Sequence, residues 1–124
     1  MKKPITRTMH GITDYSYAAL LTAAPKLFGF EKEKSASLLC YGLGGGALLY
    51  SLFTRYELGM FKLMPFKTHL AIDLASNIAA LAAPWVLGFS QNKRACNTCL
   101  VAATTGLVVS AFTQTDEMPA TADL

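Results

Sequence analysis

"TMHGITDYSYAALLTAAPKLFGF" (residues 8–30) and "KTHLAIDLASNIAALAAPWVLGF" (residues 67–89) decide the fold. Each opens on a His and an Asp four positions apart, runs on through apolar residues, and closes on Ala-Ala-Pro, three more residues and Gly-Phe. With residues 10–57 laid over 69–116 at a shift of 59 and no gap, 14 of the 48 positions are identical. His10 falls on His69, Asp14 on Asp73, Pro25 on Pro84, Cys40 on Cys99, Ser51 on Ser110 and Thr54 on Thr113, while Glu57 meets Asp116. Self-similarity at a fixed offset marks a repeated supersecondary unit. The chain reads as one domain over 1–124 containing two copies, 8–57 and 67–116, joined by 58–66.

Composition says what kind of unit this is. Only 15% of the 124 residues are charged, against about 25% in soluble domains. The charges gather in residues 1–7, 31–34, 55–67, 91–94 and 114–123, and between them lie apolar stretches 15–30, 35–54, 70–90 and 95–113. Each stretch is roughly the length needed to cross a hydrocarbon core as a helix. Residues 35–54 and 95–113 hold no charge at all, whereas a soluble helix shows polar residues along its outer face. The expected fold is all-α, a four-helix transmembrane bundle made of two tandem hairpins turning at "EKEKS" (31–35) and "SQNKR" (90–94). Two spans per unit keep both copies in one orientation, so the repeats are parallel, about an axis along the membrane normal. The apolar Leu, Met and Phe residues of 58–66 suit a segment lying at the interface.

"MKKPITR" (1–7) is followed by His10 and Asp14 and by no small-x-small cleavage site, so the first helix is expected to stay in the protein. Lys and Arg number six on the side of the termini against five opposite, which places both termini in the cytoplasm by a narrow margin. The net charge of +3 is spread over both sides and indicates no nucleic-acid partner.

"AAPWVLGF" (82–89) resembles the signature of the SPW-repeat membrane proteins, in which Ser-Pro-Trp near the end of the first of two transmembrane helices precedes Leu-Gly-Phe. Ala83 stands in place of the motif serine, and the first unit, "AAPKLFGF" (23–30), has Lys26 in place of tryptophan. The resemblance covers both units and implies the hairpin topology and a bacterial or archaeal membrane, here the bacterial cytoplasmic membrane. It brings no established activity.

Four residues carry the candidate chemistry. His10 and Asp14 share one helix face, as do His69 and Asp73, and parallel repeats set both pairs at one depth. Ionisable groups in membrane helices face the bundle interior or water. The cluster reads as hydrogen-bonded structure or, alternatively, as a divalent metal site for zinc, iron or manganese, with Glu57 and Asp116 as weaker additional ligands. Haem between the two histidines is a further alternative, opposed by the nearby carboxylates and the shallow depth. A proton or ion path is the remaining one.

Other features read as packing. Cys96 and Cys99 open an apolar helix, and Cys40 has Ser37 where a second cysteine would stand, so all three are small packing residues. "GLGGG" (42–46) lacks the lysine of a phosphate loop. Gly42 and Gly46, with Ala102, Gly106 and Ser110, have the spacing of close helix packing, within the chain, with another copy of it or with other membrane proteins. Tyr15, Tyr17, Tyr41, Tyr56 and Trp85 suit an interfacial aromatic belt, and the tail "TDEMPATADL" (115–124) is expected to be flexible. No catalytic triad or dinucleotide fingerprint is present. The expected function is that of a small integral membrane protein without evident enzymatic activity, a scaffold or accessory subunit. Metal- or haem-binding redox or transfer activity through the His/Asp pairs is the alternative.

Overall fold

Thr6 begins the first helix. Its side chain accepts a hydrogen bond from the Met9 amide at 3.1 Å, the N-cap arrangement that satisfies one of the free donors of a first turn. The helix therefore starts well before the apolar stretch at 15, and His10 and Asp14 lie inside it. In the computed structural model, which describes residues 2–119, the helices are α1 (Arg7–Leu27), α2 (Lys34–Leu52), α3 (Phe66–Val86) and α4 (Lys93–Ala111). Among the described residues there are no strands, only two isolated bridges. Every bound of α3 and α4 lies 59 positions beyond that of α1 or α2.

The Ala-Ala-Pro…Gly-Phe spacing is a helix stop. Phe30 N–H donates to the Pro25 carbonyl at 2.8 Å and Gly29 N–H to the Lys26 carbonyl at 3.4 Å. Gly29 takes φ 75°, the left-handed conformation of a Schellman cap that glycine adopts without strain. In α3, Phe89 N–H reaches the Pro84 carbonyl at 2.8 Å and Gly88 has φ 78°. Helix thus ends at Leu27 and Val86, short of the apolar stretches that run to 30 and 90. The phenylalanines after the glycines are buried in the core.

α1 packs along α2 and α3 along α4. The principal core cluster contains Leu21 and Ala80, Ala24 and Ala83, Phe30 and Phe89, Ala36 and Ala95, Cys40 and Cys99, each pair 59 apart, together with Ala103. The three cysteines are buried and unbridged. Close approach of α2 to α1 occurs at Gly44, where a Cβ would stand 2.9 Å from the Ala18 carbonyl oxygen. This corrects part of the expected small-residue packing: Gly42 and Gly46 touch nothing that a Cβ would meet within 4 Å. Gly106 does pack, its missing Cβ leaving room for the Asn77 side chain.

The ends of the hairpins are stitched together. Thr54 bridges to Met64, and Ile5 to Thr113. Residues 58–64 fold back on the end of α2, with Met60 and Phe61 amides on the Leu52 carbonyl and Leu63 and Met64 amides on that of Phe53. The tail is not free over 114–119, because Glu117 accepts from the Phe66 and Lys67 amides at 2.7 and 2.9 Å and so caps α3. The expectation for 120–124 lies outside the described residues. At the opposite end Asn92 caps α4 and reaches Glu33 of the other turn at 3.4 Å.

α2 and α3 are long and apolar enough to cross a membrane. α1 and α4 are as long but diluted, α1 by Arg7, His10, Asp14 and Lys26 and α4 by its Asn, Thr and Ser residues. Large apolar side chains face outward on every helix, among them Leu20, Leu49, Ile78 and Val101.

A candidate polar site between the hairpins

No Cα of α1 comes within 8 Å of one in α3. His10, Asp14, His69 and Asp73 fill that gap, all buried, each offering one ligand-type atom within 4.8 Å of the others. Nε2 of His10 lies 2.8 Å from Asp73 Oδ2 and 3.2 Å from Asp14 Oδ1. Nε2 of His69 lies 2.9 Å from Asp14 Oδ2 and 3.3 Å from Asp73 Oδ2. Each imidazole thus touches the carboxylate one turn along its own helix and that of the opposite helix.

Two threonines define the other edge of each ring. Thr54 Oγ1 donates to the Tyr50 carbonyl at 2.6 Å and Thr113 Oγ1 to the Val109 carbonyl at 2.6 Å. Each hydroxyl has a single hydrogen, so it can only accept from the histidine beside it. His69 Nδ1 is 2.7 Å from Thr54 Oγ1, and His10 Nδ1 is 2.8 Å from Thr113 Oγ1. Nδ1 therefore carries a proton in both histidines, and both Nε2 atoms face the carboxylates.

Tyrosines complete the shell. Tyr56 donates to Asp14 Oδ2 at 2.8 Å, Tyr50 donates to Asp73 Oδ1, and Ser110 reaches Asp73 Oδ2 at 3.4 Å. Burial, and then the Asp14 charge, push the Tyr56 phenol up, so it remains a donor. Tyr56 is fully buried and is thus no part of an interfacial belt. Tyr17 also turns inward, to Asn77 at 3.3 Å, whereas Trp85 is 61% exposed. Sequence reasoning missed Tyr50, Tyr56 and the threonine role; the Thr54/Thr113 identity was the one signal pointing to the latter.

Glu57 and Asp116 do not join the group. Arg7 takes both Glu57 carboxylate oxygens, at 3.1 and 2.8 Å, and the Asp116 backbone carbonyl at 2.8 Å. These hydrogen bonds hold the Glu57 carboxyl below the usual range. The arrangement does not suit haem held between the two histidines: the imidazoles touch edge to face with centroids 5.3 Å apart, which leaves no room for a tetrapyrrole between them.

The sequence profile of the SPW repeat domain matches residues 8–114. The chain belongs to the SPW repeat domain family. SPW repeat proteins are as a family small membrane proteins. No curated protein and no solved structure matches the chain. In this SPW repeat domain the motif position has a structural meaning. Its proline supplies the carbonyl that closes the helix stop, and Trp85, next to it, points outward at the helix end.

Proposed function

We propose that the chain is a four-span integral membrane protein built from two copies of a helical hairpin, acting without catalysis as a scaffold or accessory subunit. The open face of α2 carries this reading. Gly42, Gly45 and Gly46 lie on a helix without a charge between 35 and 52, a Cβ on any of them would meet nothing within 4 Å, and Gly42 and Gly46 border the cleft that leads to the His/Asp cluster. In lipid, glycine faces let a second helix approach closely, so the partner is another copy or another membrane protein. The paired core residues and the matched helix bounds support the duplication. Outward apolar side chains on α1 and α4, with His10, Asp14 and Ser110 turned inward, support spans by all four helices. The Lys and Arg distribution favours termini on the cytoplasmic side of a bacterial membrane.

Gly42→Leu combined with Gly46→Leu tests the association. The variant should keep its helicity and melting temperature while its assembly size in detergent or nanodiscs falls. An unchanged assembly size removes the scaffold reading. Single cysteines at Lys2, Lys34, Lys62 and Lys93 test the spans: labels at Lys2 and Lys62 should enter from one side, those at Lys34 and Lys93 from the other.

A further inference from the structure

We propose that His10, Asp14, His69 and Asp73 bind one divalent transition-metal ion, of the zinc, iron(II) or manganese(II) class, shared between the hairpins. Bonds of about 2.0–2.2 Å place neighbouring ligand atoms about 3 Å or slightly more apart around a single ion. Each histidine Nε2 has a carboxylate oxygen of both aspartates at 2.8 to 3.3 Å, Asp14 meeting His10 through Oδ1 and His69 through Oδ2, and one ligand atom from each of the four residues lies within 4.8 Å of the others.

Ion pairing alone gives similar distances, so orientation decides. His10 Nε2 is hydrogen-bonded to Asp73 Oδ2, but His69 is fully buried and its Nε2 has no hydrogen-bond partner among the described residues although two carboxylate oxygens lie within 3.3 Å. Neither oxygen sits along its bonding direction. A donor or lone pair buried and aimed between two carboxylates is costly as it stands. It is satisfied by a cation held between the two imidazoles and the two carboxylates.

The surrounding groups have the form of a ligand-supporting shell. Metal-bound histidine donates its other ring N–H to an acceptor, and ligating carboxylates are themselves hydrogen-bonded. Both Nδ1–H groups have threonine acceptors, and each aspartate has a tyrosine donor. Two carboxylates and two neutral imidazoles bring a charge of −2, which a divalent ion cancels in a low-dielectric site. Nitrogen and oxygen ligands select zinc, iron or manganese over copper(I). A route is also present: the cleft of about 100 Å³ reaches His10, Asp14 and Asp73 past Tyr17, Asn77 and Thr105.

The test uses the full chain in detergent, purified through a tag free of histidine, stripped with EDTA and titrated with CoCl2. The expected result is one Co²⁺ per chain, with visible d–d absorption and displacement by Zn²⁺. The chain has two histidines, both in this site, so a histidine-ligated spectrum has one origin. His69→Gln should abolish the signal. Thr113→Val leaves all four ligands in place and should weaken binding about 10- to 100-fold; it decides the matter if His69→Gln does not fold. Absence of Co²⁺ and Zn²⁺ binding by the unaltered chain at millimolar ion overturns the proposal, as does an undiminished signal in folded His69→Gln or an unchanged affinity in Thr113→Val.

Discussion

At the scale of single residues, the interior is organised by hydroxyl groups as much as by charges. Thr54→Val removes the acceptor for His69 Nδ1–H and leaves a buried donor unmatched. Unfolding in detergent should show a loss of about 1–3 kcal/mol, and Tyr56→Phe should cost a similar amount by exposing Asp14 to an empty partner position. Arg7 and Glu57 give a pH-dependent contribution of defined sign. The folded-state carboxyl is held below its unfolded value, so the pair stabilises above the unfolded pKa and its contribution is lost as pH falls through the folded one. The pair is partly solvated, which keeps its worth to about 1 kcal/mol or less. Melting temperature followed from neutral to acid pH should therefore fall less steeply in Glu57→Gln than in the unaltered chain. The His/Asp pairs were legible in the sequence because helical spacing and repetition single them out. Tyr50 and Tyr56 were not, since neither has a tyrosine 59 positions on and only the fold-back after α2 brings Tyr56 inward.

At the scale of elements, the helix stops were visible as a recurring Pro and Gly-Phe, though the last helical residue was not. Gly88→Ala places a Cβ at a positive φ and should cost about 1–2 kcal/mol without altering the packed faces. The glycines of α2 were readable as a group but not one by one, because their roles depend on how the helix is rotated against α1. The structure separates them by experiment: Gly44→Ala drives a methyl to 2.9 Å from Ala18 O and should destabilise by about 1–3 kcal/mol. Gly42→Ala, with open space, should be neutral or stabilise by up to about 1 kcal/mol. Equal melting temperatures for these two variants would contradict the packing described. The cap of α3 had no sequence signal, since its acceptor, Glu117, comes from the tail beyond α4. Glu117→Ala should lower stability by about 0.5–2 kcal/mol.

At the scale of the whole molecule, the hairpins differ from their interface. Helices pack closely within each hairpin, and one apolar cluster runs through both, whereas α1 meets α3 through four ionisable side chains. The all-helical architecture was legible because two long segments share a period. The inward face of the bundle was legible only in part, because sequence shows which residues are polar and not which helix they will meet. The two bridges are equivalent. The end of the first hairpin pairs with the segment leading into the second at Thr54 and Met64, and the end of the second pairs with the segment leading into the first at Thr113 and Ile5, each partner 59 positions from its counterpart. The segments around Ile5 and Thr113 therefore meet at a junction equivalent, 59 positions on, to the one between Thr54 and Met64 that the linker closes covalently. The ring is thus closed twice by the same kind of contact and only once by the backbone. A circular permutant opened near residue 61, with residues 2 and 119 joined through a flexible linker, should reassemble the parent bundle.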